Sequence, residues 1–108
     1  MISVYIASPY SIGSKIDNVK ASFQVYNKLV KRGYYPFAPL TSHYINQLYR
    51  LSYDKWLEID MYWLDKCDCL LRLPGESRGA DKELNRMVML KKPIFYNIND
   101  LDDYYKDK

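Results

Sequence analysis

One histidine and two cysteines a single residue apart are all that the sequence offers to a zinc-like metal. A structural zinc centre needs four such ligands and a catalytic one three plus water, so Cys67-x-Cys69 with His43 elsewhere makes no zinc site. Both cysteines are expected as small apolar residues at the edge of a buried strand. The lone histidine has no nucleophile-elbow motif beside it, which leaves serine- and cysteine-protease arrangements without support. The four glycines spell neither G-x-x-x-x-G-K-S/T nor G-x-G-x-x-G. That argues against an NTPase and against an ordinary dinucleotide dehydrogenase. No run of about 18 apolar residues occurs, and the apolar stretch from Ile2 has no basic segment before it. Neither a membrane span nor a signal peptide is therefore expected, and a cytoplasmic location is the default. Charge is lacking too: 16 basic against 13 acidic residues leave a formal +3, too mild and too evenly spread for a nucleic-acid binder. The pairs Lys31-Arg32 and Lys91-Lys92 fall near expected helix ends, where they complement the helix dipole.

What is present is enough for one domain over residues 1–108. With 48% hydrophobic and 16% aromatic residues, a chain of this size buries roughly 65% of its unfolded surface and needs no disulfide. The 12 tyrosines mark either pockets and subunit interfaces or simple compositional bias. Ile2 to Ala7 reads as a buried first strand, followed by a turn-rich loop from Ser8 to Ser14. Val19, Phe23, Tyr26, Leu29 and Val30 recur at helical spacing between Lys15 and Arg32, and Gly33 stops that helix. Tyr34 to Ala38, limited by Pro36 and Pro39, reads as an edge strand. A polar loop with Thr41, Ser42 and His43 precedes a short helical stretch to about Arg50. Ser52 can cap a stronger helix over Tyr53 to Lys66. Asp68 to Leu73 is the third strand, Ala80 to Leu90 the next helix and Pro93 to Tyr96 the fourth strand; Asn99 can cap a last short helix. The residues from Asp102 to Lys108 read as a terminal helix turn or a frayed end. Strands and helices thus alternate, which predicts a mostly parallel sheet covered on both faces. Ligands of such sheets sit at the carboxyl ends of the strands where strand order switches. The loops Ser8 to Ser14 and Pro74 to Gly79 fit that description.

Ser77-x-Gly79-x-x-x-Glu83 is the most informative local pattern. Gly79 permits close approach of backbone to a ligand or a positive φ. Glu83 is expected in the first turn of the following helix, where the dipole favours its ionised form. Such a carboxylate can attack a sugar carbon, or merely satisfy helix-end N–H groups. Ser77 can cap that helix or help the helix N-terminus hold a phosphate. Asp60, between Trp56 and Trp63, is either partly buried, with a raised pKa suited to proton donation, or turned to solvent. His43 is a loop histidine, which by itself is usually neither ligand nor base.

Taken together, Tyr5-Ile6-Ala7-Ser8-Pro9-Tyr10-Ser11, Asp60-x-x-Trp63-Leu64-x-x-Cys67-Asp68 and Ser77-x-Gly79-x-x-x-Glu83 resemble the nucleoside 2-deoxyribosyltransferase-like superfamily. That superfamily includes deoxyribosyltransferases and 2'-deoxynucleoside 5'-monophosphate N-glycosidases, and the likeness runs from Tyr5 to about Tyr96. The resemblance implies a three-layer Rossmann/flavodoxin-like α/β fold with a mostly parallel sheet of four to five strands. It implies that Glu83 attacks the anomeric carbon, that Tyr5 positions it and that Asp60 assists departure of the base. It puts Ala7, Ser8, Pro9, His43, Ser77 and Gly79 around the substrate. His43 then lies near the base, and Ser77 accepts a 5'-phosphate where the transferases carry an aspartate for the free 5'-hydroxyl. A small-molecule nucleotide, no cofactor, no metal, no nucleic acid or membrane partner, and a homo-oligomer with sites near subunit boundaries are the further implications. Asp81 departs from the pattern, since a glycine is frequent there. A second carboxylate so close to Glu83 would raise its pKa or repel a phosphate unless it points away. Pro9 and Tyr10 also replace the Gly/Ser/Arg character of the hydrolases' first loop, and Arg78 either supplies a positive charge or sits in solvent. The alternative reading is a non-catalytic module that senses or sequesters a nucleotide-derived signal.

Overall fold

Alternation of apolar side chains decides the layers before any long-range contact is considered. In the computed structural model, which describes residues 1–106, β1 (Ser3–Ala7), β2 (Tyr35–Phe37), β3 (Cys69–Arg72) and β4 (Ile94–Phe95) form one fully parallel sheet in the order β2-β1-β3-β4. Val4, Ile6, Cys69 and Leu71 point to one face and meet Leu29 of α1 (Lys15–Lys31) and Leu101 of α5 (Ile98–Tyr105). Tyr5, Ala7 and Leu70 point to the other, against Leu64 of α3 (Tyr53–Lys66) and Ala80 and Met87 of α4 (Arg78–Met89). This is a three-layer Rossmann/flavodoxin-like α/β fold, with four strands. Each of the central leucines removes enough apolar surface from water to be worth about 1.5–3 kcal/mol.

The helix ends follow their sequence signals. Ser14, Ser52 and Ser77 each accept the backbone N–H three residues on, at 3.3, 3.1 and 3.1 Å, satisfying one of the donors that a helix start leaves open. Three boundaries differ from expectation. The cap of α5 is Asn97, bonded to the Asp100 amide at 2.8 Å, and not Asn99. α4 opens at Arg78, because Ser77 caps it. Pro39–Thr41 forms a turn of 3-10 helix that runs into α2 (Ser42–Leu48), so Ser42 and His43 are helical and not in a loop. In α1 the inward stripe is Val19, Ser22 and Leu29, while Tyr26 and Val30 are exposed. Of the two lysine-containing pairs, Lys92 reaches past its own helix and donates to the Asp65 and Cys67 carbonyls of the α3 end, both at 2.8 Å. Cys67 and Cys69 are free and buried. Of the tail, 102–105 completes α5, while 107–108 lies outside the described residues. Among the described residues no helix is long and apolar enough to cross a membrane.

Strand order reverses between β1 and β3: the chain leaves β1 toward β2 on one side and leaves β3 toward β4 on the other. The loops after these two strands therefore diverge at their carboxyl ends and open a crevice. They touch at its base. Gly75, at φ +117°, lies so close to Pro9 that a Cβ there would approach Pro9 Cγ to 2.8 Å. Gly75→Ala should lower unfolding stability by about 2–4 kcal/mol through strain and overlap together, read as a fall in the urea midpoint. Gly79→Ala, whose added Cβ meets only Tyr53 Oη at 3.9 Å and Ser77 Oγ at 4.0 Å, should leave that midpoint nearly unchanged. Equal losses for the two variants would refute this account of the loop contact.

Candidate functional site

A cavity of about 690 Å³ occupies the crevice, within the usual size range of small-molecule sites. Four segments wall it. The β1–α1 loop contributes Ser8 and Tyr10, and α2 with the turn before it contributes Pro39, His43 and Asn46. From α3 come Tyr53, Trp56 and Asp60; from the α4 start, Ser77, Gly79 and Glu83.

Glu83 comes from the second turn of α4, six residues after its cap, and not from the first turn. The helix dipole has faded there, and burial governs the group instead. Its residue is 6% exposed, and its carboxyl is pushed up to about 8. Loss of solvation is the largest cause; the Tyr5 hydrogen bond and the positive Arg72 pull down, and the Asp60 charge adds to the rise. The Tyr5 hydroxyl, entirely buried on β1, donates to Glu83 Oε2. Burial, then the Glu83 and Asp60 carboxylates, hold that phenol well above its ordinary range, so it stays a donor. Tyr5 is held in turn by stacking on Phe37, which stacks on Trp63 (ring centroids 5.6 and 6.1 Å).

Asp60 faces the same cavity from α3. Burial pushes its carboxyl up to about 7, so of the two orientations open to the sequence, the half-buried one is adopted. Trp56 beside it lines the cavity and donates its indole N–H to Asn46 Oδ1 at 2.8 Å. His43 lines the cavity from α2 with both ring nitrogens engaged, Nδ1 with the Tyr10 hydroxyl and Nε2 with the Gln47 amide at 3.1 Å.

Ser77 does two things at once. Its oxygen accepts the Ala80 N–H, and the residue lines the cavity. The amides of Arg78 and Gly79, ahead of the first intrahelical bond, lie beside it and form an anion-friendly end. Gly79 is helical without a positive φ; that conformation belongs to Gly75. Gly79 serves the cavity by bareness alone. Arg78 is exposed at the mouth.

Two of the expected substrate contacts lie outside the cavity lining. Ala7 and Pro9 do not line the cavity: Ala7 is buried in the sheet core, and Pro9 packs against Gly75. Asp81, the suspected disturbance, is turned away from Glu83: its Oδ1 accepts from Arg72 Nη2 at 3.1 Å. Arg72, Tyr53 and Asn46 join the site with no motif to mark them, and Tyr10, a departure from the pattern of the first loop, lines the cavity as well. An arginine at the end of an otherwise apolar strand was the one available signal among these. Among the described residues, no group of three or more His, Cys, Asp or Glu is arranged to hold a metal.

A family model described as a domain of unknown function (DUF7768) matches residues 2–97. No curated protein matches the chain. Among solved structures, it is similar to a 2-deoxyribosyltransferase from the psychrotolerant bacterium Bacillus psychrosaccharolyticus. The TM-score is 0.64 at 21% identity, over 85% of this chain and 69% of that one. At that identity the likeness establishes the shared fold.

Proposed function

The chain belongs to the DUF7768 family, and from the cavity just described we propose that it cleaves or transfers the base–sugar bond of a (deoxy)nucleoside 5'-monophosphate. The observation that carries this reading is the buried Tyr5–Glu83 hydrogen bond with Asp60 in the same cavity. One oxygen of a carboxylate is held from behind while a proton donor stands within the same enclosed space. The likeness to a deoxyribosyltransferase supports the same chemistry.

In the proposed reaction, Glu83 in its ionised form attacks C1' while the C1'–N bond breaks. The electron pair of that bond goes to the base, which takes the Asp60 proton as it leaves. Water or a second base then attacks C1' of the glycosyl-enzyme, giving its proton to the Asp60 carboxylate and freeing Glu83. The Tyr5 hydroxyl stays bonded to the other Glu83 oxygen and fixes its direction. His43, with Asn46 and Trp56, borders the space left for the base. The Ser77 hydroxyl and the first α4 amides take the 5'-phosphate, with Arg78 and Lys82 adding positive charge at the mouth. Of the two features behind a binding-only module, Asp81 and the altered first loop, the pairing of Asp81 with Arg72 weakens the first. The exposed Leu48 and Tyr49 at the end of α2 support association between copies of the chain beside the cavity.

Base release from paired nucleosides and nucleoside 5'-monophosphates, followed chromatographically, tests the reading. The phosphorylated member of each pair should be preferred. Ser77→Asp keeps a capping oxygen yet sets a carboxylate against the phosphate. It should cost roughly 10²-fold in kcat/KM for monophosphates and spare nucleosides. Equal loss for both would remove Ser77 from the phosphate site, and absence of release from every substrate would remove the enzyme reading.

A further inference from the structure

Arg72 is a cation with little room for water: the residue is 9% exposed and stands at the carboxyl end of β3, paired in register with Ala7 of β1. A buried guanidinium is costly unless its donors are met. Here Nη1 donates to the Leu73 carbonyl, and Nη2 to the Gly75 carbonyl at 2.8 Å and to Asp81 Oδ1 at 3.1 Å. All three acceptors belong to the β3–α4 loop or to the first turns of α4. Its alternation along β3 puts Arg72 on the sheet face of Leu70, the face that carries Tyr5 and against which α4 lays Glu83.

Two consequences follow from that placement. The first is mechanical: the guanidinium ties Gly75, whose backbone presses on Pro9, to Asp81 on the helix that carries Glu83. The second is electrostatic, since a permanent positive charge on the Glu83 side of the sheet favours its ionised form. Asp81 is 65% exposed at its side chain and partly neutralises that charge. We propose that Arg72 is a positioning residue that clamps the β3–α4 loop and supplies the charge that lets buried Glu83 ionise, with Asp81 as its moderating counter-ion. The significance for catalysis rests on the reading of Glu83 as nucleophile; the effect on Glu83 itself does not.

Tyr5 from β1 bonds Glu83, Asp60 from α3 lines the same cavity, Arg72 from β3 lies on the same sheet face, and Asp81 stands two residues away on the same helix, so the test must isolate one of them. Carboxyl 13C NMR of the full chain labelled at glutamate, with Glu83→Gln assigning the signal, reads Glu83 ionisation without substrate. Arg72→Met should move its midpoint up by roughly one pH unit, and Arg72→Lys should restore most of that. Asp81→Asn, which alters an exposed carboxylate and leaves the fold intact, should move it down. Since loss of the nearby Asp81 carboxylate lowers the midpoint by itself, the contrast between Arg72→Met and Arg72→Lys is the discriminating one: a merely structural clamp would not be rescued by a lysine that keeps the charge and loses the forked hydrogen bonds. An unmoved midpoint in Asp81→Asn, movement in the same direction for Asp81→Asn and Arg72→Met, or no rescue by Arg72→Lys, overturns the proposal. If Arg72→Met does not fold, Arg72→Gln, which removes the charge and keeps donors for the loop carbonyls, takes its place with the same expected rise. Absence of base release from the unmodified protein, with these shifts intact, would refute the nucleophile reading alone.

Discussion

Glu83→Gln is expected to lose base release by roughly 10³-fold or more while making the folded protein harder to unfold. The two effects share one cause. Glu83 has been taken out of water on the Tyr5 face of the sheet, and its carboxyl is raised from the ordinary 4.5 to about 8. The folded state therefore holds a proton that the unfolded chain has already lost, and stability falls as pH rises between those values. The protonated group costs little below pH 4.5; above pH 8 the full cost of a buried charge is present. Gln removes that titration yet offers Tyr5 a carbonyl acceptor of the same shape. The variant's advantage over the unmodified protein should therefore grow by about 3–4 kcal/mol from pH 5 to pH 9, the energy equivalent of the shift. Urea unfolding at pH 5, 7 and 9 measures it. A variant that loses activity with no pH-dependent gain would mean that Glu83 is solvated or otherwise compensated in the fold. A gain in stability with base release retained would leave Glu83 a buried residue and not the nucleophile.

For Asp60→Asn the expected signature is in the shape of the pH profile as well as its height. Burial raises the Asp60 carboxyl to about 7 and, with the Asp60 charge adding to it, the Glu83 carboxyl to about 8, so the two ionise in adjoining ranges. The proposed chemistry needs one proton on that pair. The kcat/KM profile should be a bell with its limbs near those two values. The productive arrangement, with Glu83 charged and Asp60 protonated, is the less favoured placing of that proton, which limits activity even at the optimum. Asparagine removes the donor and one negative charge. Base release should fall by about 10²–10⁴-fold. The alkaline limb should disappear, and the remaining rise should move to lower pH because Glu83 has lost a repelling neighbour. A bell that survives in Asp60→Asn would show that another group gives the proton.

How far these results could be read from the chain depends on the range of the forces involved. Serine caps, the stop at Gly33 and the apolar alternation of β1 and β3 are local, since each acts within one turn or one pleat. Element order, parallel sheet and the two crevice loops follow from them. The edge position of β2 was legible for the same reason: Pro36 lacks the N–H that a central strand spends. His43 was misplaced because the 3-10 turn at Pro39 feeds α2 without a break, and no side-chain cap marks the start of that helix. Glu83 was put one turn too early because Ser77 was left undecided between cap and phosphate ligand.

Alternation and caps by themselves determined the element order, the parallel sheet and the two crevice loops, with Ser77 at the start of the helix after β3; it was the resemblance to a family pattern that grouped Tyr5, Asp60 and Glu83 with it. Only the tertiary structure decided what those side chains feel. Burial and dielectric are properties of the packed face, and no spacing along the chain encodes them. Packing set Tyr5 against Glu83 across 78 positions and raised the carboxyl that the helix dipole alone would have lowered. It also turned Asp81 toward Arg72, where a residue that looked like a defect in the pattern becomes the partner of a buried charge.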